Sequence, residues 1–220
     1  MILLIANLYN TRGSIGSFLE LLDARRPDIV GCVEVGTAMA SALSDRFEHG
    51  VVDGDDDDYR GQALLSSSPI DVTSLTMPHR SGLRATIELD GVPTELMLAH
   101  LANPIDGLSG FRHRSAQVRE ILRHVDRVGT PAVLAGDLNA TPIWPAYLRL
   151  RRRFRDGVRD AERAASRMPR RTWAPRPGLP PMLRIDHILT AGVRLDDVQT
   201  HRVAGSDHVA LSARMTRVRP

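Results

Sequence analysis

The chain contains no lysine: all 29 basic residues in its 220-residue sequence are arginine. Without lysine, a P-loop and any mechanism that forms a Schiff base are both excluded. Only one cysteine is present, Cys32, so the chain has neither an internal disulfide nor a cysteine-based metal site. A lone thiol inside an apolar run is typical of proteins in a reducing cytosol, and we expect a cytoplasmic protein.

Long apolar runs and aromatic residues are scarce as well. No run approaches the roughly 18 apolar residues that a membrane span needs, and the apolar residues 1–6 are too short for a signal peptide. With aromatics at 4% of the chain, we expect Trp144 and Trp173 to pack in the core rather than to stack on bases. Apolar segments recur without a linker, which predicts one domain over residues 1–220 and a monomer.

The net charge of +3 is unevenly distributed. Residues 141–185 contain 12 arginines and three acidic residues, a local charge of +9, whereas the rest of the chain sums to −6. A basic segment on an acidic body favours a surface that binds polyanions. We therefore predict that Arg151, Arg152 and Arg153 bind substrate; the alternative is that they lie on a solvated helix.

The segment PAVLAGDLNATP, residues 131–142, carries the strongest pattern in the sequence. Its short apolar run, bounded by proline and glycine, predicts a strand that is buried on both faces. Asp137 and Asn139 stand two residues apart at the end of this strand, so their side chains lie on one face. Taken alone, the pattern fits a simple Asp/Asn turn equally well.

Other segments predict further strands and helices. Apolar runs indicate strands at residues 2–6, 28–33, 61–65, 70–77, 83–89, 95–99, 183–189 and 209–215. Helical spacing predicts a helix at residues 15–22 capped by Ser14 and a short helix capped by Thr37. It also predicts a helix from about Arg114 to Val128, with His124 on its solvated side, and arginine-rich helical pieces after residue 144.

Polar residues stand where these buried runs stop. Each one alone fits a turn or a cap, but carboxylates are rarely buried unless they are paired or bind a metal. A whole set at corresponding strand ends is better explained if the strands carry the side chains to one edge of a sheet. The set comprises Asn7, Glu34, His100, Asp137, Asp186 and the pair Asp207-His208.

The residue types in this set match a hydrolase that uses a hard cation. Glu34, Asp207 and Asn7 offer the oxygen ligands that Mg²⁺ prefers, and Mn²⁺ is an alternative cofactor. Asp186 and His208 form a candidate carboxylate–imidazole pair. His100 is a candidate contact for a phosphoryl oxygen or a leaving group.

Five motifs carry a resemblance to a known family. VEV at Glu34, LAHLANP at His100, GDLNATP at Asp137, RIDHIL at Asp186 and SDHVAL at His208 follow one another along the chain. In this order they resemble the motifs of the endonuclease/exonuclease/phosphatase superfamily, the DNase-I-like hydrolases. The resemblance covers nearly the whole chain, from residue 7 to residue 211.

The resemblance implies an α/β fold, a four-layer sandwich of two packed, mostly antiparallel sheets flanked by helices, with the site at one rim. It implies a Mg²⁺ ligand at Glu34 with Asn7 beside it and Asp207 as a second carboxylate near the metal. Asp137 matches the residue that positions or deprotonates the attacking water, and Asn139 matches its neighbour at the phosphate. The remaining matches are His208 as a phosphate contact paired with Asp186, and His100 with Asn103 as a pair flanking the phosphate.

Together, these features predict a Mg²⁺-dependent phosphoesterase that hydrolyses phosphodiester bonds, with DNA or RNA as the first expected substrate. One alternative is a phosphatase or phosphodiesterase that acts on a small-molecule or lipid head-group phosphate ester. The second alternative is a catalytically silent binding module on the same fold. The silent module is disfavoured because no inert residue replaces any motif position.

Overall fold

The computed structural model describes residues 1–104, 107–129, 131–168 and 170–218. Within these residues, the strands are β1 (Ile2–Asn10), β2 (Ile29–Val35), β3 (His49–Asp53), β4 (Gln62–Ser66), β5 (Val72–Leu75), β6 (Gly82–Leu89), β7 (Val92–Leu98), β8 (Ala132–Asp137), β9 (Arg155–Asp156), β10 (Asp186–Ala191), β11 (Val193–Arg202) and β12 (Val209–Arg217). The helices are α1 (Ile15–Arg25), α2 (Thr37–Ser44), α3 (Gly107–Val128), α4 (Pro145–Leu150) and α5 (Gly157–Ala164).

The strands form two six-stranded sheets that pack face to face. One sheet has the order β11-β12-β1-β2-β4-β3, and the other has the order β5-β6-β7-β8-β10-β9. Each sheet is antiparallel except for one central parallel pair, β1 with β2 and β7 with β8. Helices α1 and α2 cover the outer face of the first sheet, and α3 and α4 cover that of the second. The α/β sandwich predicted from the sequence is therefore confirmed.

The continuous apolar runs arise because the central strands are buried on both faces. In β1, Leu3 and Ile5 pack between the sheets, while Leu4 packs toward the helices outside. In β8, Val133 packs between the sheets and Leu134 packs against the layer that contains α3. Side chains alternate along a strand, so both faces of these strands require apolar residues.

Several elements differ from the sequence-based prediction. Strands β3, β9 and β11 were not predicted, because β9 is two residues long and the other two have a partly exposed polar face. Helix α3 begins at Gly107, two turns before the predicted start at Arg114. Helix α2 has Gly36 as its N-cap, so Thr37 is its first helical residue. His124 is buried and bonds to Glu95 at 2.6 Å, so the prediction of a solvated histidine was wrong.

The topology brings particular strand ends to one rim of the sandwich. The parallel pairs end together, β1 beside β2 and β7 beside β8. Strands β10 and β12 run antiparallel to β8 and β1, so each begins at this same rim. Asp186, the first residue of β10, lies opposite Asp137, the last residue of β8. Among the described residues, no helix is both long and apolar enough to cross a membrane.

Gly136 makes the approach to this rim possible, which gives a first prediction. Its φ is +125°, and an added Cβ would lie 2.2 Å from the carbonyl oxygen of Ala99 on the neighbouring strand. We expect Gly136→Ala to lower the free energy of unfolding by at least about 1–3 kcal/mol, the usual cost of such backbone strain. Urea unfolding measures this loss.

Gly16→Ala is the matched control for this measurement. Gly16 lies in α1, and an added Cβ there would meet no atom within 4 Å, so alanine should be neutral or stabilise by up to about 1 kcal/mol. Equal unfolding free energies for the two variants would contradict the tight approach at Gly136.

Candidate active site

One cluster at the rim collects most of the polar residues that the sequence placed at strand ends. Each comes from a different element or from the turn next to it, so residues far apart in sequence become neighbours. The cluster consists of Asn7 from β1, Glu34 from β2, His100 after β7, Asp137 from β8, Asp186 from β10, and Asp207 and His208 before β12.

Asn7 joins two carboxylates at the centre of the cluster. Its Nδ2 donates to Glu34 Oε1 at 2.9 Å and to Asp137 Oδ2 at 3.1 Å. Its Oδ1 accepts from the backbone N–H of Tyr9 at 3.0 Å, which fixes the orientation of the amide. Asn7 therefore presents a donor to the carboxylates, and its role as a metal ligand stays a prediction.

The backbone at two of these positions is strained. Glu34 has a φ of +52° and Asn139 a φ of +46°, both in the left-handed region that non-glycine residues seldom adopt. Strand β1 also bulges opposite Glu34, because its register with β2 shifts between Asn7 and Asn10. Such strain costs about 1–3 kcal/mol per residue and is concentrated at functional sites.

Asp137 is the buried centre of the cluster. Its Oδ1 accepts from the backbone N–H of Asn139 at 2.8 Å, and its Oδ2 accepts from Asn7. Burial, and then the negative charge of Asp186, raise the pKa of Asp137 to about 7. A carboxylate with a pKa near neutrality is suited to accept a proton from water at physiological pH.

His208 is held as a cation by its carboxylate neighbours. Its Nδ1 lies 2.8 Å from Asp186 Oδ2, and its Nε2 lies 3.8 Å from Asp137 Oδ2 and 4.0 Å from Asp207 Oδ1. Burial alone would lower the pKa of His208, but the charge and hydrogen bond of Asp186, together with the other two carboxylates, raise it to about 10. The ring is therefore an imidazolium at neutral pH, with Nε2–H directed toward the cluster.

Asp207 is placed by Trp173, a contact that the sequence did not reveal. The indole Nε1 donates to Asp207 Oδ2 at 3.0 Å, and the backbone of Trp173 also bridges that of His208. Asp207 Oδ1 is buried and has no hydrogen-bond partner among the described residues. Burial raises the pKa of Asp207 because its charged form loses hydration. A positive charge near Oδ1 would stabilise that charged form.

His100 and Arg80 form a second unpredicted contact. The guanidinium of Arg80 donates to His100 Nδ1, so the ring proton lies on Nε2, at 3.5 Å from Glu34 Oε1 and 3.8 Å from Asp137 Oδ2. Burial, and then the positive charges of Arg80 and His208, hold the pKa of His100 well below its usual value. His100 is therefore a neutral donor toward the carboxylates.

Arg114 supports the turn that carries Asn139. It is fully buried, and its guanidinium donates to the backbone carbonyl of Asn139. The Asn139 side chain donates in turn to the carbonyl of Leu101 at 2.9 Å. Arg114 precedes Val118 by four residues, so both side chains lie on the same face of α3. An arginine on this apolar face was a signal in the sequence, and the prediction did not use it.

The other residues predicted for the site are exposed. Asn103 is exposed in the segment between β7 and α3. Arg151, Arg152 and Arg153 follow α4, and Arg153 pairs with Asp126 at 2.9 Å. Asp126 is twelve residues beyond Arg114 on α3, which is about 18 Å along the helix axis. This position separates Arg153 from the site rim.

The donor set at the rim fits a hard divalent cation. Ligand atoms of Glu34, His100 and Asp137 lie within 4.8 Å of one another, and so do those of Asp137, Asp186 and His208. His100 offers an N–H and His208 is charged, so neither histidine is available as a ligand in this arrangement. The oxygens of Glu34 and Asp137 remain as candidate ligands, while Asp207 belongs to neither group. Oxygen-only sites of this kind suit Mg²⁺ or Mn²⁺.

Burial also raises the pKa of Glu34, as it does for Asp137 and Asp207. The largest cause of all three shifts is the loss of hydration around the carboxylates. A bound divalent cation would stabilise their charged forms.

Comparisons with known proteins place the chain in context. A family model described as "Endonuclease/Exonuclease/phosphatase family" matches residues 6–208. No curated protein matches the chain significantly. Among solved structures, a 3'-5' exonuclease from Neisseria meningitidis is 21% identical and has a TM-score of 0.76, with 98% of this chain and 100% of that chain covered.

Two other solved structures are similar over the same extent. TDP2 of D. rerio, humanized by 14 mutations, is 19% identical with a TM-score of 0.76, and the match covers 98% of both chains. A mannosyl-6-phosphatase of Bacteroides thetaiotaomicron is 14% identical with a TM-score of 0.71, and the match covers 98% of this chain and 99% of that chain. At these identities, the likeness establishes the shared fold and not a shared substrate.

The Asp186–His208 pair yields a prediction about pH. Asp186→Asn keeps an acceptor for His208 Nδ1 but removes the charge, so the pKa of His208 should fall from about 10 by about 1–3 units. Titration of the histidine ring by NMR in metal-free protein measures the change. Asp126→Asn, which removes an exposed ion pair with Arg153, is the control and should leave His208 unchanged.

The raised pKa of His208 also determines how the free energy of unfolding depends on pH. A raised folded-state pKa means that the pair stabilises the protein fully below the ordinary pKa of 6.5, and that this contribution is lost as the pH rises through about 10. The difference in unfolding free energy between the wild type and Asp186→Asn should therefore narrow at high pH. A difference that does not change with pH would contradict the charged pair.

Arg80 yields a prediction about the tautomer of His100. Arg80→Met removes the donor to Nδ1 and the nearby positive charge, so the pKa of His100 should rise and the Nε2–H tautomer should lose its preference. Nitrogen-15 shifts of the ring distinguish the tautomers. Arg84→Met, which removes a contact to Glu95 on the adjacent strands, should leave the His100 shifts as in the wild type. Unchanged shifts in Arg80→Met would remove Arg80 from the site.

Proposed function

Because the chain belongs to the endonuclease/exonuclease/phosphatase family, we propose that it is a metal-dependent phosphoester hydrolase whose reaction centre is the cluster around Asp137. The family resemblance inferred from the sequence motifs is thereby confirmed. Members of this family hydrolyse phosphate esters with divalent metals, and the acidic groups at the rim offer a place for one.

The observation that carries the proposal is the placement of a charged imidazole and a near-neutral carboxylate side by side. His208 Nε2 and Asp137 Oδ2 are 3.8 Å apart. The raised pKa of Asp137, about 7, and that of His208, about 10, give one proton acceptor and one cationic donor at the same pH. Pairs of titratable groups with opposite tasks are typical of acid–base catalysis.

These positions assign the steps of an in-line displacement. Asp137 accepts a proton from the attacking water as the water oxygen bonds to phosphorus and the ester oxygen leaves. The His208 imidazolium donates a hydrogen bond to a phosphoryl oxygen and offsets the charge that develops there. Asp186 keeps His208 protonated and oriented, and Asn7 holds Glu34 and Asp137 in place.

Glu34 is the residue that would hold Mg²⁺ or Mn²⁺, with Asp207 as a second carboxylate near the ion. Such an ion polarises a phosphoryl oxygen and stabilises the leaving oxygen when it is bound. Arg80 adds a positive charge beside Glu34, and His100 presents its N–H to the same carboxylates. Asn139 orders the turn after Asp137 and stays a candidate phosphate neighbour.

The preference for a nucleic-acid substrate has less support than the proposed hydrolysis of phosphoesters. It rested on the basic segment that contains Arg151, Arg152 and Arg153, and of these Arg153 pairs with Asp126, far along α3 from Arg114. Similar folds include an exonuclease and a sugar phosphatase. The proposal is therefore phosphoester hydrolysis, with diesters first among the substrates to test and with DNA and RNA in the panel.

A catalytically silent binding module is the competing proposal. It would retain the fold without the reactive pair, whereas this chain retains Asp137, Asp186 and His208 in mutual contact. Hydrolysis of bis(p-nitrophenyl) phosphate with Mn²⁺ or Mg²⁺, abolished by EDTA and restored by added metal, supports the enzyme. Metal binding without hydrolysis of any diester, monoester, DNA or RNA substrate supports the silent module.

Glu34→Gln is the sharpest test of the metal assignment. It preserves the size of the side chain and an oxygen for Asn7 Nδ2, but it removes the negative charge. We expect weaker Mn²⁺ binding by calorimetry and a loss in turnover of about 10³-fold, as for removal of metal-based charge stabilisation.

Glu162→Gln is the matched control, since Glu162 is also buried but pairs with Arg170 outside the cluster. The control should retain wild-type metal affinity and turnover. A normal Mn²⁺ isotherm in Glu34→Gln, with the wild-type melting temperature, would refute the assignment of Glu34.

A further inference from the structure

A group of apolar side chains is exposed beside the candidate active site. Leu108 is 78% exposed, Ile143 80%, Leu148 53% and Phe111 45%. Leu108 and Phe111 are three residues apart on the first turns of α3, whereas Ile143 precedes α4 and Leu148 lies within it. We call these four residues, together with Trp144, the apolar rim patch. Contiguous exposed apolar residues are uncommon on a soluble protein and mark interaction surfaces.

The patch is physically connected to the reaction centre. The rings of Phe111 and Trp144 are 6.2 Å apart, and the guanidinium of Arg114 lies 4.9 Å from the first and 5.0 Å from the second. Arg114 also donates to the carbonyl of Asn139, two residues after Asp137. A molecule that covers the patch is therefore next to the turn that carries Asn139.

The segments that carry the patch are rich in arginine, although Arg114 is buried and Arg153 and Arg155 are paired with Asp126 and Asp160. Residues 107–119 and 140–155, the segments that carry the patch, contain eight arginines and no acidic residue. Arg112, Arg149 and Arg152 are exposed and have no ion-pair partner within the described part of the chain. The patch thus combines protruding apolar side chains with a positive surround, which complements an anionic surface that has an apolar interior.

We infer that the apolar rim patch docks the protein on an anionic lipid surface, so that the substrate is a phosphate ester presented at that surface. The identity of the substrate rests on the proposed hydrolase function, whereas the docking does not. The three most exposed members of the patch, Leu108, Ile143 and Leu148, are aliphatic, whereas the aromatic members Phe111 and Trp144 are less exposed. A nucleic-acid surface would instead call for polar and aromatic side chains between the arginines.

The docking is tested with vesicles and the full chain in EDTA, where no hydrolysis takes place. Sedimentation with vesicles of equal parts phosphatidylcholine and phosphatidylglycerol should show binding that is stronger than with phosphatidylcholine alone and that falls with added salt. Leu108→Asn combined with Ile143→Asn should weaken this partitioning at least about tenfold, since two apolar side chains no longer enter the lipid.

Two further variants keep the test decisive. Met168→Asn with Val218→Asn removes two side chains that are 86% and 51% exposed outside the patch, and it should bind vesicles like the wild type. Arg112→Gln with Arg149→Gln should reduce binding to anionic vesicles only. Melting temperatures within a few degrees of the wild type show that each variant is folded.

Several results would overturn the docking proposal. One is wild-type protein that does not sediment with either vesicle; another is equal binding by the patch variant and its control. A patch variant that loses affinity for single-stranded DNA or RNA, with no vesicle binding in the wild type, would assign the patch to nucleic acid. A wild-type dimer that the patch variant abolishes would assign it to a second copy of the chain.

Catalysis is measured separately, so that the two proposals fail independently. With Mn²⁺, the wild type should release product from phosphatidylglycerol vesicles, and Glu34→Gln should not. Vesicle binding without hydrolysis of either the lipid or bis(p-nitrophenyl) phosphate would reject the hydrolase and keep the docking. Hydrolysis of the soluble diester without vesicle binding would reject the docking and keep the hydrolase.

Discussion

Burial of several carboxylates at one rim is the constraint on which the rest of this structure depends. Desolvation alone would neutralise Glu34, Asp137 and Asp207. The protein compensates with directed donors: the amide of Asn7, the indole of Trp173 and the imidazolium of His208. These donors offset only part of the negative charge, and the remainder is what a divalent cation would neutralise. The proposed metal binding and the raised pKa values would thus share one physical cause, the burial of these carboxylates.

The sandwich supplies this arrangement through its two central parallel pairs. Parallel strands end at the same edge, so β1 with β2 and β7 with β8 deliver their last side chains to one rim. The antiparallel neighbours β10 and β12 begin at that rim and add Asp186 and His208. Rigid strands buried on both faces fix the positions, and the strained backbone at Glu34 and Asn139 sets the final direction of the chain.

The sequence predicted the parts of this account that depend on local pattern. Buried strands require unbroken apolar runs, and a polar residue that ends such a run is visible without a structure, as at Asp137. Strands β3 and β11 were missed because their partly exposed faces interrupt the apolar pattern. Arg80 and Trp173 were missed because their contacts join segments far apart in the chain. Arg153 was predicted to bind substrate because it belongs to the basic segment between two site motifs, and its ion pair with Asp126 joins residues that are distant in sequence.

The central claim is that the carboxylate of Glu34 binds a divalent cation at this rim. Anomalous diffraction from crystals soaked in Mn²⁺ tests it most directly, because manganese is located without any assumption about activity. The account predicts an anomalous peak within about 2.5 Å of the Glu34 carboxylate, a distance typical of oxygen coordination. A well-ordered rim without a peak at saturating Mn²⁺, or a peak bound only to residues outside the cluster, would contradict the account.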